Sequence, residues 1–429
     1  MVDSFSVTAL QLQAHDSDAF AQCVDSIVEA TRRAATRSDV VVLPEATFPA
    51  YVLGERSIDN DAVNEAIGRV RGIAERSRTV IVAGAVVQID AGLRNAALVI
   101  DADGSLAGRA DKLFLWHFDR HWFTAGDRIE PIPTAVGPLG VLICADGRLP
   151  TISRQLVDRG ARALIMPTAW VTSGRNPGAL ENVQADLLAR VRAYENGVPF
   201  VAANKCGVER GMVAYCGKSQ VIDGAGELLA IASERNPEVL RATIAAAASR
   251  PHRAAAAQPR RRDATARSVR IGVSFEPLPR DIDERLQLLD DEYALAPNDD
   301  ARLAALDRAV PSIAAADDVV LDPGGLVGYR RAGYALFSWM TRLGAPWCER
   351  VARARAVELR CYLVVFDEAA GRAFVVDPDG VIVAGTFGEF RLASFHFDGR
   401  KTLDAGVAPG TDVAEGLERT ARIVEHAQR

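Results

Sequence analysis

Apolar positions in the first half of the chain follow two alternating patterns. Short runs rich in β-branched residues and bounded by turn residues predict strands at residues 6–13, 40–43, 79–87, 95–101, 140–143, 163–167 and 199–203. Segments with helical periodicity lie between several of them, at residues 16–36, 61–78, 151–159 and 180–196. Strands that alternate with helices indicate an α/β fold. Turn signals such as Asp103-Gly104 add hairpins, so the sheet is predicted to be mixed.

A change of composition divides the chain into two blocks. Residues 246–268 are rich in Ala, Arg and Pro and have no strand pattern, which predicts a linker. The first block is then residues 1–245 and the second is residues 269–429. A solvated tether is the favoured interpretation of the linker arginines, and binding of an anion or nucleic acid is the alternative.

The second block resembles the first in three gapless segments. Residues 39–51 match 317–329, residues 190–201 match 353–364, and residues 217–226 match 371–380. On this alignment 115 residues of the first block are missing from the second, between Tyr329 and Arg353. We therefore predict a truncated internal duplication, with residues 269–429 as a shorter α/β domain.

Composition narrows the class of protein. The 429 residues are 49% hydrophobic and 25% charged, which is typical of a globular protein of more than one domain. No apolar run reaches the roughly 18 residues of a membrane span, and the first residues lack the basic region of a secretory signal. The net charge of −6 gives no reason to expect nucleic acid. The six cysteines form no C-x-x-C pair, which indicates reduced thiols in a cytoplasmic protein and no structural zinc.

Three residues of reactive type stand at predicted strand ends. Glu45 follows the strand at 40–43, where α/β sheets present functional groups, although a helix cap or surface carboxylate is the alternative. Lys112 is one of four lysines among 50 basic residues, and an ammonium can point at an oxyanion as a guanidinium cannot; a chance surface lysine is the alternative. Cys144 ends the strand at 140–143, where we expect an exposed thiol whose neighbouring backbone N–H groups favour the thiolate.

Together these motifs resemble the nitrilase, or carbon–nitrogen hydrolase, superfamily. The similarity lies in LPEATFPAY, DKLFLW and GVLICADGRLP, and covers roughly residues 4–245. It implies a four-layer αββα sandwich and a Glu–Lys–Cys triad. Glu45 would be the general base, Cys144 the nucleophile that forms a thioester, and Lys112 with the backbone N–H of Ala145 the oxyanion site. The resemblance implies no metal and no organic cofactor.

The resemblance extends to auxiliary and substrate-binding positions. Asp119 stands where the family often has a second glutamate, and its shorter side chain leaves that role open. His117 and His121, spaced for one helix face, are interpreted as part of a packed polar cluster rather than a metal pair. The substrate candidates are Trp116 and Trp170 as apolar walls and Arg175 as a carboxylate clamp; core packing and an exposed loop arginine are the alternatives.

The expected activity is hydrolysis of a small amide or N-carbamoyl compound, because Cys144 is followed by Ala-Asp-Gly-Arg and not by the Trp-Glu of the nitrile-cleaving branch. Nitrile hydrolysis by the same triad, or a regulatory protein whose second block senses a metabolite, are the alternatives. The second block lacks the triad, with Pro323 at the position of Glu45, and Cys348 is interpreted as structural. We expect the second block to pack on the first block as a dimer partner would. Assembly of the whole chain into a homo-oligomer is an additional arrangement left open. We expect no membrane and no nucleic-acid partner.

Overall fold

The computed structural model describes residues 3–54, 58–174, 176, 178–246, 259–276, 292–386 and 391–427. Most of the predicted linker, residues 247–258, and the candidate clamp Arg175 lie outside the described residues. The chain forms two compact units. Unit 1 comprises residues 1–251 with 408–411 and 418–429, and unit 2 comprises residues 252–407 with 412–417. None of the helices in the described ranges is both long and apolar enough to cross a membrane.

The described residues of unit 1 up to residue 246 form thirteen strands and five α-helices. The strands are β1 Ser4–Gln13, β2 Val40–Val42, β3 Val80–Ile89, β4 Gly92–Ile100, β5 Leu106–Asp111, β6 Leu139–Val141, β7 Ala163–Pro167, β8 Phe200–Ala203, β9 Lys205–Glu209, β10 Val213–Cys216, β11 Gln220–Ile222, β12 Leu228–Ile231 and β13 Glu238–Ala245. The helices are α1 Phe20–Ala35, α2 Asn60–Ser77, α3 Asp119–Trp122, α4 Pro150–Asp158 and α5 Ala189–Asn196, with 3-10 turns at Ser17–Ala19 and Cys144–Arg148 and a π turn at Gln184–Leu188.

Two sheets form the centre of unit 1. The first has the order β10-β9-β1-β2-β3-β4-β5, with β13 also paired to β1, and the second has the order β12-β11-β8-β7-β6. The buried faces of α1 and α2 cover the first sheet, while α4 and α5 pack on the second, whose strands face those of the first. Unit 1 is therefore a four-layer αββα sandwich, as the family resemblance implied. The seven predicted strands are confirmed, and both parallel and antiparallel pairs occur.

Local chemistry explains where the elements near the first sheet begin and end. The three residues of β2 are all valine and fully buried, which suits a central strand covered on both faces. Pro44 follows two residues later and cannot donate to a ladder, so the chain leaves the sheet. The side chain of Asp59 accepts a hydrogen bond from the backbone N–H of Ala62 and caps the start of α2. Residues 43–59 thus connect a strand to a helix across the edge where Glu45 lies.

The chain after residue 260 has its own strands and helices. The strands are β14 Ser268–Ser274, β15 Tyr293–Leu295, β16 Ser312–Ala315, β17 Leu336–Thr341, β18 Tyr362–Asp367, β19 Arg372–Val376, β20 Ile382–Gly385, β21 Leu392–Asp398, β22 Gly406–Ala408 and β23 Thr411–Asp412. The helices are α6 Asp300–Asp307, α7 Asp317–Leu321, α8 Val327–Arg331, α9 Trp347–Leu359, α10 Gly399–Leu403 and α11 Val413–Ala427. The sheets are β15-β14-β21, β16-β17-β18-β19-β20 and β22-β23.

The five-stranded sheet of unit 2 has the topology of the five-stranded sheet of unit 1. In both, two parallel pairs are followed by two antiparallel pairs, and the last pair has a register shift. Arg192 forms a buried ion pair with Glu195 on α5, and Arg355 forms one with Glu358 on α9. These are matched positions of the predicted second segment, so that part of the alignment agrees with the structure.

The first aligned segment is wrong. Residues 317–321, matched to the strand that precedes Glu45, form the helix α7. The strand that pairs in parallel with β14, as β2 pairs with β1, is β15, and Pro297-Asn298 follows it as Pro44-Glu45 follows β2. The error arose because a short apolar run with two leading aspartates is compatible with either a strand or a helix. Asn298, and not Pro323, therefore has the place of Glu45 in the sheet topology.

The position of Cys144 has a counterpart in unit 2 as well. Arg192 Nε donates to the carbonyl of Gly147, three residues after Cys144, and Arg355 Nε donates to the carbonyl of Val320, three residues after Asp317. Strand β6 precedes the first turn as β16 precedes the second. Asp317 thus has the topological place of Cys144, which disagrees with the predicted alignment, where the segment that would match Cys144 was placed between Tyr329 and Arg353.

Candidate active site

The turn that carries Glu45 is pressed against strand β3 at a glycine. A Cβ atom at Gly84 would lie 2.1 Å from the carbonyl oxygen of Pro44, so a side chain cannot be accommodated there. The backbone N–H of Thr47 donates to the carbonyl of Gly84 at 2.9 Å, and that of Glu45 donates to the carbonyl of Thr168 at 3.3 Å. These bonds hold Glu45 at the end of β2 with its side chain completely buried. The alternative of a surface carboxylate or helix cap is therefore excluded.

Lys112 connects two buried carboxylates. It follows β5, and its Nζ lies 2.7 Å from Glu45 Oε1 and 2.7 Å from Asp119 Oδ2, with all three side chains inaccessible to solvent. Burial lowers the pKa of the Lys112 ammonium. The negative charges of Asp119 and Glu45 raise it by more, so that the pKa lies well above its usual value. An ammonium has three donors, so one remains after these two contacts. A chance surface lysine is excluded.

The two carboxylate oxygens of Glu45 differ in their hydrogen bonding. Oε1 accepts from Lys112 and, at 2.7 Å, from Asn95 Nδ2. Oε2 is buried and has no hydrogen-bond partner among the described residues. A buried carboxylate oxygen is costly to leave unpaired, so this atom is suited to accept a proton from a neighbouring group.

Cys144 is strained and buried. It begins the 3-10 turn after β6 with φ of 45°, a left-handed conformation that residues other than glycine rarely adopt. Burial, and then the charge of Glu45, raise the pKa of its thiol to about 12, against the opposing effects of Lys112, Thr168 and the backbone of Ala169. The expected exposed thiolate is therefore wrong: the resting group is a buried thiol. It needs a base, and Glu45 is close enough to alter its pKa.

Asp119 reaches the lysine although its side chain is shorter than glutamate. It begins α3, accepts from the hydroxyl of Tyr51 at 2.7 Å through Oδ1, and accepts from the backbone N–H of Trp116 at 2.8 Å through Oδ2. Tyr51 was not among the predicted site residues, because nothing in its local sequence distinguishes it from a core aromatic. His117 lies before α3 and His121 lies within it, and both are exposed, so the prediction that they belong to a packed polar cluster is wrong.

Asp146 is a second residue that the sequence did not indicate. Its Oδ1 accepts from the backbone N–H groups of Leu113 at 3.0 Å and Phe114 at 2.7 Å, and its Oδ2 accepts from that of Ile143 at 2.9 Å. The carboxylate therefore joins the segment after Lys112 to the turn that carries Cys144. Burial raises its pKa to about 7. Asp146 also lines a cavity of about 740 Å³ whose lining does not include the triad.

The predicted substrate contacts are only partly described. Trp116 is half-buried, with the guanidinium of Arg148 stacked 4.5 Å above its ring. Trp170 is fully buried, and its backbone N–H donates to Asn204 Oδ1 at 2.8 Å. The backbone N–H of Ala145 belongs to the same turn as Cys144, the candidate nucleophile. The structure thus brings Glu45, Lys112, Cys144 and Asp119 together. Of the two tryptophans proposed as apolar walls of the substrate site, Trp116 is the one with exposed surface.

Comparisons with known proteins identify the family of this chain. The family model described as carbon-nitrogen hydrolase matches residues 6–254. The chain is 32% identical over 206 residues to the "Hydrolase in pqqF 5'region" of Pseudomonas protegens, covering 46% of this chain and 69% of that protein. It is 25% identical over 248 residues to the omega-amidase NIT3 of Saccharomyces cerevisiae, covering 53% of this chain and 83% of that one.

A solved structure shows the same fold. A mutant of the amidase from Nesterenkonia sp. AN1, with the acetamide moiety of fluoroacetamide added covalently at its active-site cysteine, has a TM-score of 0.50 and 25% identity to this chain. The match covers 56% of this chain and 90% of that one. Since the family model also spans more than half of the residues, the chain belongs to the carbon–nitrogen hydrolase family.

Proposed function

We propose that this protein hydrolyses a carbon–nitrogen bond of a small amide or N-carbamoyl compound through a thioester on Cys144. The observation that carries the proposal is the buried ammonium of Lys112, which lies 2.7 Å from Glu45 and 2.7 Å from Asp119 beside a thiol kept protonated by burial. A protonated nucleophile, an unpaired base oxygen and a fixed cation are the groups that acyl transfer requires.

Each group has a defined role in the proposed reaction. Glu45 Oε2 takes the proton of Cys144 as Sγ attacks the carbonyl carbon, and the third donor of Lys112 and the N–H of Ala145 bind the resulting oxyanion. Collapse of the tetrahedral intermediate breaks the C–N bond, and Glu45 returns the proton to the leaving nitrogen, which departs as ammonia or an amine. Glu45 then activates water, which attacks the thioester and releases the acid and the thiol. Asp119 keeps Lys112 charged and oriented.

Amides and carbamoyl compounds are favoured as substrates over nitriles. The residues after Cys144 are Ala-Asp-Gly-Arg, and the omega-amidase and the fluoroacetamide-reactive amidase are both amide-directed by name. The half-buried Trp116 offers an apolar wall beside Asp119. A nitrile would enter the same triad, so it belongs in the test as a competing substrate class.

The test is to capture the covalent intermediate. The full chain is mixed with separate panels of amides, N-carbamoyl compounds and nitriles, quenched in acid, and measured by intact mass with ammonia release in parallel. We expect an acyl adduct on Cys144 with members of the first two panels, and none in Cys144→Ala. Adducts only with nitriles would overturn the substrate class, and turnover retained in Cys144→Ala would overturn the mechanism.

A further inference from the structure

A second buried lysine lies beside the turn of the catalytic base. Lys205 begins β9 and Glu209 ends it, and both side chains are almost completely buried. Lys205 Nζ lies 3.3 Å from Glu209 Oε2. Residues four apart on a strand project from one face, so β9 presents the pair to the same side. Neither residue takes part in the proposed reaction.

The two charges contact the ends of one short segment. Lys205 Nζ donates to the carbonyl of Ala46 at 3.4 Å, and Glu209 Oε1 accepts from the backbone N–H of Val52 at 2.6 Å. Ala46 directly follows the base Glu45 and has φ of 43°, a left-handed conformation that is unfavourable for alanine. The segment from 46 to 52 belongs to no named helix or strand. The carbonyl of Ala46 and the N–H of Val52 therefore take hydrogen-bond partners from these side chains and not from a helix or a sheet.

The Lys205–Glu209 pair is also connected to Asp119, the second carboxylate that contacts Lys112. Val52 follows Tyr51, whose hydroxyl donates to Asp119. The ring of Tyr51 has Lys112 Nζ 5.3 Å from its centroid and Lys205 Nζ 5.9 Å from it. Tyr215, on β10, donates to Glu209 Oε2 at 2.6 Å and completes the polar contacts of that carboxylate. Glu45 and Asp119 are thus both connected to the pair, one through Ala46 and the other through Tyr51.

We infer that Lys205 and Glu209 are positioning residues that hold the segment from Glu45 to Val52 in the geometry required for proton transfer from Cys144. This inference rests on the proposed function. A misplacement of about 1 Å in a catalytic group can cost roughly a hundredfold in rate. The pair acts on the rate of the chemical steps and not on the affinity for substrate, because neither side chain is part of the predicted substrate contacts.

The decisive experiment removes the pair in the full chain. Removing one member would leave an unpaired buried charge and destabilise the protein for an unrelated reason, so the principal variant is Lys205→Met combined with Glu209→Gln. The control is Lys218→Met combined with Asp186→Asn, which removes a partly exposed Lys–Asp pair, 2.8 Å long, that does not contact the segment. Both are compared with wild type for Tm, for kcat and KM on one amide substrate, and for the rate at which iodoacetamide alkylates Cys144.

We expect the principal variant to lose 10- to 100-fold in kcat, with KM within about threefold, and to slow alkylation of Cys144 by a similar factor. The control should match wild type in all three. A folded principal variant with wild-type kcat and wild-type alkylation overturns the inference, as does a loss that appears only in KM.

A second variant keeps the test decisive if the double variant does not fold. Lys205→Arg keeps the buried charge opposite Glu209, but the larger planar guanidinium cannot take the place of the ammonium on the carbonyl of Ala46, and we expect alkylation of Cys144 to slow by about threefold or more. An unchanged rate in this variant overturns the inference. Failure of the proposed function is recognised separately, because it would appear in wild type as the absence of turnover on amides and N-carbamoyl compounds.

Discussion

At the scale of single residues, the site explains where this chain uses lysine. Of 50 basic residues only four are lysines, and two of them, Lys112 and Lys205, are completely buried in unit 1. The sequence marked Lys112 as a candidate site residue but gave no such signal for Lys205. At both positions a compact ammonium contacts more than one acceptor in a space enclosed by other side chains. A planar guanidinium needs more room and a different arrangement of acceptors.

Lys112→Arg tests this argument directly. The charge is retained, but the guanidinium cannot fit between Glu45 and Asp119 and also leave a donor for the oxyanion. We expect kcat to fall by about 100- to 1000-fold, the cost of one oxyanion donor. Steady-state kinetics on the amide found by the adduct screen measures it, with Lys218→Arg as a control that should stay within twofold. A near-normal kcat in Lys112→Arg would refute the oxyanion role.

At the scale of elements, the site depends on contacts between parts of the chain that are remote in sequence. Gly84 of β3 leaves space for the turn of Glu45, and Asp146 joins the segment after β5 to the turn of Cys144. The three candidate triad residues could be proposed from the sequence because each follows a recognisable strand. Sequence reasoning did not find Gly84, Asp146 or Tyr51, since the groups that they contact are set by the packing of the sheets.

Gly84→Ala is expected to disrupt the turn of Glu45. The added methyl group would lie 2.1 Å from the carbonyl oxygen of Pro44 and 2.6 Å from the N of Ala46, so backbone must move. We expect a loss of about 1–3 kcal/mol in the free energy of unfolding and a large loss of kcat. Gly68→Ala is the control, because a Cβ there meets nothing within 4 Å in helix α2 and should be neutral or stabilising. Urea unfolding and kinetics compare the two, and equal behaviour would contradict the packing argument.

The raised pKa of Asp146 leads us to expect that the stability of the folded protein falls as pH rises. Its pKa in the folded protein, about 7, lies above the ordinary value of 3.8, so the native state binds more protons than the unfolded state between these values. This contribution is fully present below about pH 4 and is lost as pH rises to 7, about 4 kcal/mol in all, since each pKa unit corresponds to about 1.4 kcal/mol.

Asp146→Asn should remove that contribution. Urea unfolding at several pH values from 4 to 8.5 measures it in wild type and variant. We expect the unfolding free energy of wild type to fall relative to that of the variant as pH rises from 4 to 7. Parallel pH profiles would show that Asp146 titrates normally in the folded protein.

At the scale of the whole molecule, the two units share a sheet topology but not a catalytic site. We propose that unit 2 is a truncated repeat of unit 1 in which Asn298 and Asp317 replace Glu45 and Cys144. The strand order, the strand directions and the two buried Arg–Glu pairs support this. The packing of unit 2 as a substitute dimer partner stays a prediction. The thiol of Cys348, which was interpreted as structural, donates to Asp367 at 3.4 Å.

Labelling distinguishes the two cysteines. Burial and Asp367 raise the pKa of Cys348 to about 11, and no lysine contacts the Cys348–Asp367 pair among the described residues. We expect substrate to acylate Cys144 alone, and Cys348→Ala to keep kcat within about twofold of wild type. Peptide mapping of the acid-quenched enzyme locates the adduct. An adduct on Cys348, or loss of turnover in Cys348→Ala, would show that unit 2 carries chemistry of its own.

The sequence by itself indicated the α/β class through the periodicity of its apolar positions, and its resemblance to a known family supplied the family and the three candidate triad residues at predicted strand ends. The tertiary structure decided the protonation of Cys144, the contact of Asp119 with Lys112, the roles of Tyr51 and Asp146, and which residues of unit 2 match the triad. These depend on burial and on distances between groups far apart along the chain. Desolvation and close contact are properties of the packed sheets, and no local pattern encodes them.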